Sequence, residues 1–116
     1  MRRELIAFLL SISPFLGTAQ AADAAKGKQI YDTVCAACHG PQGAGDGPAA
    51  VAMPAEQKPR NFQKPSFKYA TNDAKFKDLL HKGGTAAGLS PLMPAQPNFS
   101  DADIDNVIAY VRTLKK

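Results

Sequence analysis

The chain has 116 residues, of which 45% are apolar and 21% charged, a composition that fits one ordinary folded domain and excludes a disordered, collagenous or multidomain protein. Fourteen Lys and Arg residues against ten Asp and Glu residues give a net charge of +4, which permits an acidic partner without identifying one. Two cysteines and two histidines are too few for a disulfide-stapled scaffold or for a metalloprotein with several sites.

The N-terminus has the pattern of a secretory signal peptide. A pair of arginines precedes an apolar run over residues 5–16, and an A-x-A cleavage site ends at Ala21. This run of about 12 residues is shorter than the roughly 20 that a membrane-spanning helix needs, although an uncleaved anchor is an alternative. We therefore expect residues 1–21 to be removed on export and residues 22–116 to form the folded domain.

The rest of the chain shows three helical patterns. Each begins at a residue that can cap a helix: Asp23, Asn72 and Ser100. The first pattern extends over residues 23–38, the second ends at Gly83, and the third carries apolar side chains at helical spacing up to Leu114. Asp103, three residues after Ser100, adds a capping box to the third helix.

Two segments rich in Gly and Pro, residues 40–65 and 85–99, separate these helices. Their composition excludes regular helix and central strand, and no alternating strand pattern occurs elsewhere. Loops of this length are unusual in a small domain unless they wrap something. The sequence therefore predicts an all-α domain whose long loops enclose a bound group.

The chemistry of the chain is concentrated in residues 35–39, Cys-Ala-Ala-Cys-His. Cys-x-x-Cys-His is the attachment signature of c-type haem. Residues three and four apart on a helical turn face the same side, so Cys35 and Cys38 can reach the two haem vinyl groups while His39 points at the iron. The pattern predicts one covalent haem c with His39 as the proximal ligand.

Three other interpretations of the two cysteines are weaker. A thioredoxin-type dithiol needs a βαβ context, which is absent here. A structural zinc site needs four ligands, whereas Cys35, Cys38 and His81 supply only three. His39 is a poor fourth ligand because it directly follows Cys38 in the chain. A structural disulfide is compatible with export but leaves His39 unexplained. A thiol–disulfide protein without haem would be distinguished by its lack of colour.

The second axial ligand decides the function, and the candidates are Met93, Met53 and His81. We expect Met93, because its Pro-bracketed loop precedes the last helix and can close over the opposite haem face. Met53 follows His39 closely and has packing as its alternative role, whereas His81 ends a helix whose dipole favours an exposed histidine there.

A thioether is a soft ligand that favours Fe(II) and raises the reduction potential relative to two histidines. With both axial positions filled by protein, the iron exchanges electrons only, so we expect an electron carrier and not an enzyme. A labile or open sixth position would instead predict a haem sensor or a weak peroxidase.

With these motifs the sequence resembles the class I family of small, soluble, monohaem cytochromes c. Besides C-A-A-C-H-G, the resemblance over residues 23–114 rests on Gly27, Tyr31, G-A-G-D-G-P at 43–48, P-R-N-F at 59–62, Met93-Pro94, Val107 and Tyr110. It implies the cytochrome c fold, with three to four helices and long loops around one haem. In that fold the first and last helices cross, with Gly27 allowing close approach and three side chains packing at the crossing: Tyr31, Val107 and Tyr110.

The resemblance also implies that the carbonyl of Pro48 accepts the N–H of the proximal imidazole. The chain has no tryptophan to hold a haem propionate, so Arg60 is a candidate for that role, with a merely exposed arginine as the alternative.

Residues 58–82 carry seven basic side chains against two acidic ones. The basic residues are Lys58, Arg60, Lys64, Lys68, Lys75, Lys77 and Lys82. This segment is either a face that steers docking to acidic redox partners or an ordinary solvated surface. The interleaved aromatic residues match a nucleic-acid platform only loosely, and we expect no nucleic acid partner.

These expectations together describe a monomeric periplasmic electron carrier. Its donor would be a membrane or periplasmic redox protein such as a quinol-oxidising complex or a dehydrogenase. Its acceptor would be a terminal oxidase or a reductase.

Overall fold

A computed structural model describes residues 21–64, 67 and 69–116. The predicted signal peptide over residues 1–21 therefore lies outside the described residues except for Ala21, and so does Lys68 of the basic segment. The helices are α1 (Ala24–Ile30), a π-helical turn (Tyr31–Cys35), α2 (Ala36–His39), α3 (Asp73–Lys82) and α4 (Asp101–Thr113). The described residues form no strand, which confirms the all-α prediction. None of the helices in this part of the chain is long and apolar enough to cross a membrane.

All three predicted helix caps are present. The Asp23 carboxylate accepts from the backbone N–H groups of the first turn of α1, and the Asn72 side chain accepts from the N–H of Lys75. Ser100 and Asp103 form the predicted capping box at the start of α4. These bonds satisfy helix N–H groups that have no partner within their own helix.

The first helical stretch differs from the continuous α-helix expected over residues 23–38. It contains a π-helical turn in which the N–H of Ala36 donates to the carbonyl of Tyr31. Tyr31 is fully buried in the core, and Cys35 packs against the same core and also borders a cavity.

Helices α1 and α4 cross in close contact, as the family resemblance implies. A Cβ atom at Gly27 would collide with the backbone carbonyl of Asn106. The N–H of Asp23 donates to Oδ1 of Asn106 at 2.7 Å, and the rings of Tyr31 and Tyr110 meet edge to face with centroids 5.1 Å apart. The missing side chain at Gly27 is therefore what allows this approach.

Side chains from the π-turn, α3, α4 and the first loop form the core: Tyr31, Phe62, Phe76, Leu80, Ile104, Val107, Ile108 and Val111. The two long loops contain short helical turns that the sequence did not predict. Residues 40–65 contain 3₁₀ helices at Pro48–Ala52 and Ala55–Gln57, and the second loop contains one at Thr85–Ala87. Short 3₁₀ turns are common connectors where longer helices are blocked.

Candidate functional site

A cavity of about 800 Å³ lies between the π-turn with α2, one face of α3 and α4, and the two long loops. Its volume is within the range of roughly 300–1,000 Å³ typical of small-molecule and cofactor sites. Its wall includes most of the side chains that the sequence assigns to a haem: Cys35, Cys38, His39, Met53, Arg60 and Met93. Apolar core side chains, among them Phe62, Phe76 and Leu80, form much of the rest.

The two cysteines of the motif do not have the environment of a redox dithiol. Burial raises the pKa of the Cys35 thiol to about 11, and the neighbouring Cys38 acts in the same direction. Catalytic thiols of the thioredoxin type instead have lowered pKa values. Neither cysteine forms a disulfide, and no group of three or more His, Cys, Asp or Glu side chains that could hold a metal ion occurs within the described ranges. The structure therefore favours neither the dithiol nor the zinc interpretation.

His39 is held so that one ring nitrogen is left for a ligand bond. Its Nδ1 atom lies 3.1 Å from the carbonyl oxygen of Arg60, a bond that the Nδ1–H tautomer donates. The ring stacks on Phe62 with centroids 4.3 Å apart. Burial lowers the pKa of His39, although the bond to Arg60 partly opposes this. A neutral imidazole with its proton on Nδ1 has a free lone pair on Nε2, which is the form that binds iron.

The acceptor at Nδ1 is thus Arg60, whereas the family resemblance implies Pro48. Pro48 is exposed at the start of a 3₁₀ helix and does not line the cavity. The N–H of Phe62 donates to the carbonyl of Gly43 at 2.7 Å, and this bond folds the segment before Phe62 against the imidazole. The role of Pro48 stays a prediction for the haem-loaded protein.

Met93 borders the cavity on the loop that follows α3. The loop is tied to the end of α3 by two backbone bonds: the N–H of Gly84 donates to the carbonyl of Met93 at 3.0 Å, and the N–H of Gln96 donates to the carbonyl of Leu80 at 2.8 Å. The sequence marked the Gly83-Gly84 pair only as the end of the helix. It gave no signal for the bonds that Gly84 and Gln96 make across this loop.

The two other candidates for the second axial ligand lie in different places. Met53 also lines the cavity, so the lining alone does not separate it from Met93. His81 is not part of the lining, and its Nε2 atom lies 3.0 Å from Oδ1 of Asp101 at the contact between α3 and α4. His81 is therefore accounted for by this contact.

The basic segment is divided by its contacts. Lys58 and Arg60 border the cavity, and the Lys58 ammonium donates to the carbonyl of Ala50. On α3, by contrast, acidic neighbours pair with two lysines: Lys77 Nζ lies 3.1 Å from Asp105, and Lys82 Nζ lies 2.8 Å from Asp78. The seven basic residues of the segment therefore do not form one uniform face: two border the cavity and two are paired with carboxylates on or near α3.

The helical fold and a cavity lined by two thiols, an imidazole and two thioethers fit a covalently attached haem. Comparison with known proteins agrees with this. The family model for cytochrome c matches residues 24–115. Cytochrome c-554(547) of Halothiobacillus neapolitanus is 35% identical over 98 residues, which cover 82% of this chain and 100% of that protein.

The chain belongs to the class I cytochrome c family. Its cofactor is the covalently bound haem c of that family, and it is a haem c electron carrier.

Proposed function

We propose that this protein carries single electrons between redox proteins in the periplasm, with haem c attached to Cys35 and Cys38 and ligated by His39 and Met93. The observation that carries the proposal is that both thiols, the imidazole and a thioether from a distant loop line one cavity. When bound, haem c supplies an iron that accepts and releases one electron.

The chain's own residues would hold and tune this group. Cys35 and Cys38 would hold the haem through thioether bonds, each made by adding one thiol across one vinyl double bond with no atom lost. Apolar walls at Phe76 and Leu80 exclude water, which influences the reduction potential. If His39 and Met93 both bind the iron, the protein would leave no coordination site for oxygen or substrate.

Export and partner choice rest on the sequence and on the charge at the cavity. The signal-like segment before Ala21 supports a periplasmic location. Lys58 and Arg60 border the cavity, which supports docking of acidic surfaces there. We propose a quinol-oxidising complex or a dehydrogenase as donor and a terminal oxidase or a reductase as acceptor.

The test is the absorption spectrum of the haem-loaded protein and of two matched variants, Met93→Ala and Met53→Ala. A methionine–Fe(III) bond has a weak charge-transfer band at long wavelength. We expect the wild type to show this band, Met93→Ala to lose it with a fall in midpoint potential, and Met53→Ala to keep it.

Two outcomes would contradict the proposal. Loss of the band in Met53→Ala alone would assign the ligand to Met53. A high-spin ferric spectrum in the wild type would show an open sixth position, and ligand binding at the iron would then be the function to test.

A further inference from the structure

The glycines after α3 are required for different physical reasons. Gly83 and Gly88 have φ angles of +84° and +69°, in the left-handed region that favours glycine. Gly84 has φ −65° and ψ −39°, which every residue adopts. Backbone conformation therefore does not explain why position 84 is glycine.

A steric restriction explains why position 84 is glycine. A Cβ atom there would collide with the backbone carbonyl of Ser90 and would lie 3.4 Å from the Cβ of Met93. Around Gly88, by contrast, a Cβ would have no atom within 4 Å. The chain segment that carries Met93 thus lies directly on the backbone of Gly84.

The same residue is bonded to this segment at both of its backbone groups. Its N–H donates to the carbonyl of Met93 at 3.0 Å, and its carbonyl accepts from the N–H of Leu89 at 2.8 Å. Residues 83–100 contain no ionisable side chain, so no ion pair made by the loop itself holds it in place. Backbone bonds and close packing at Gly84 position the Met93 turn, together with the bond from Gln96 to Leu80 and the packing of Gly83 against Ala95.

We propose that Gly84 is a positioning residue for the second axial ligand. Because the Met93 turn packs on its backbone, Gly84 sets how far the Met93 thioether extends into the cavity. This inference rests on the proposed function, in which Met93 ligates the iron. A side chain at position 84 pushes the turn away from α3 and raises the fraction of molecules whose sixth position is open. An external ligand then binds more tightly in proportion to that fraction.

The experiment uses ferric, haem-loaded protein and imidazole as the external ligand. Gly84→Ala is expected to weaken the methionine–Fe(III) band and to raise the apparent affinity for imidazole by about tenfold or more, which is what overpacking of this size produces. Covalent haem and the far-ultraviolet helical signal should be retained. Ala86→Ser is the matched control: it adds one atom to an exposed residue of the same 3₁₀ turn and should change the affinity by less than about twofold.

A measurement on the wild type covers the case in which Gly84→Ala does not fold. Hydrogen exchange at the Gly84 N–H should be slow when Met93 is bound and at least about tenfold faster when imidazole replaces it, because the bond to the Met93 carbonyl is lost with the turn. The N–H of Ile104 in α4 should be unaffected. Equal protection of Gly84 in both states would overturn the inference.

Failure of this inference is distinguishable from failure of the proposed function. If Met93→Ala keeps the charge-transfer band, Met93 is not the ligand and both are wrong. If Met93→Ala loses the band while Gly84→Ala keeps the wild-type band and imidazole affinity, only the role of Gly84 is wrong.

Discussion

A tyrosine outside the haem-attachment motif holds the end of that motif in place. Tyr31 is fully buried, and its hydroxyl donates to the carbonyl of Gly40 at 2.7 Å. Gly40 follows His39 directly, and the Tyr31 ring also touches Phe62, on which the His39 ring stacks. One side chain thus connects the core to the residues that flank the proximal imidazole.

Replacement of Tyr31 by Phe tests this contact. The change leaves the buried Gly40 carbonyl without this donor, so we expect the free energy of unfolding to fall by about 1–3 kcal/mol, measured by chemical denaturation of the haem-loaded protein. Tyr110→Phe is the control, because within the described residues Tyr110 contributes a ring contact and no hydroxyl hydrogen bond. Equal losses in the two variants would show that the hydroxyl bond of Tyr31 contributes nothing specific.

At the scale of elements, the haem-attachment motif lies next to the crossing of α1 with α4. The π-turn carries Tyr31, whose ring meets Tyr110 of α4, and Cys35, which borders the cavity together with Cys38 of α2. Gly27, one turn earlier, lets the two helix backbones meet. The position of the attachment motif is therefore set by packing against a helix more than sixty residues later in the chain.

Gly27→Ala distinguishes packing from helix propensity, because the two effects have opposite signs. Propensity alone would stabilise α1 by up to about 1 kcal/mol. Collision with the carbonyl of Asn106 should instead destabilise the protein by about 1–3 kcal/mol or more, since neither backbone can yield. Thermal unfolding of the two proteins measures the sign, and a higher midpoint in Gly27→Ala would contradict the crossing.

A matched control lies on the same helix. Gln29 is exposed, so Gln29→Ala should change the free energy of unfolding by less than about 0.5 kcal/mol.

For the whole molecule, the field that a redox partner meets depends more on where the charges lie than on the net charge. Some of the fourteen basic residues lie beside carboxylates that offset their charge locally, such as Lys82 of α3 beside Asp78. Arg60 is exposed and borders the cavity. The field that an approaching redox partner meets near the cavity therefore depends on few residues.

Arg60→Gln and Lys82→Gln remove the same charge from these two places. With the anionic oxidant hexacyanoferrate(III) and the reduced protein, we expect Arg60→Gln to lower the second-order rate about two- to fivefold at low salt and Lys82→Gln to lower it less. Stopped-flow absorption measures both rates. Equal effects, or an Arg60 effect that persists at high salt, would argue against a local electrostatic role.

Features that depend on neighbouring residues were predictable from the sequence. The caps at Asp23, Asn72 and Ser100 each bond to groups two or three residues away, so their chemistry is visible in the chain itself. The spacing of Cys35, Cys38 and His39 is likewise local, and it was sufficient to predict the haem class. The π-turn was not predicted, because the apolar spacing over residues 23–38 indicated a continuous helix and no local residue pattern marks a wider turn there.

The sequence by itself determined an all-α chain, the covalent haem c and the residues able to bind it, because helix periodicity and motif spacing act over a few residues. Only the tertiary structure decided which of those residues share one cavity. It brought Met93 and Met53 to the cavity and left His81 bonded to Asp101, and it set Arg60 at the imidazole and Gly84 beneath the Met93 turn. These are contacts between distant segments, formed by steric fit and backbone hydrogen bonds that no local pattern records.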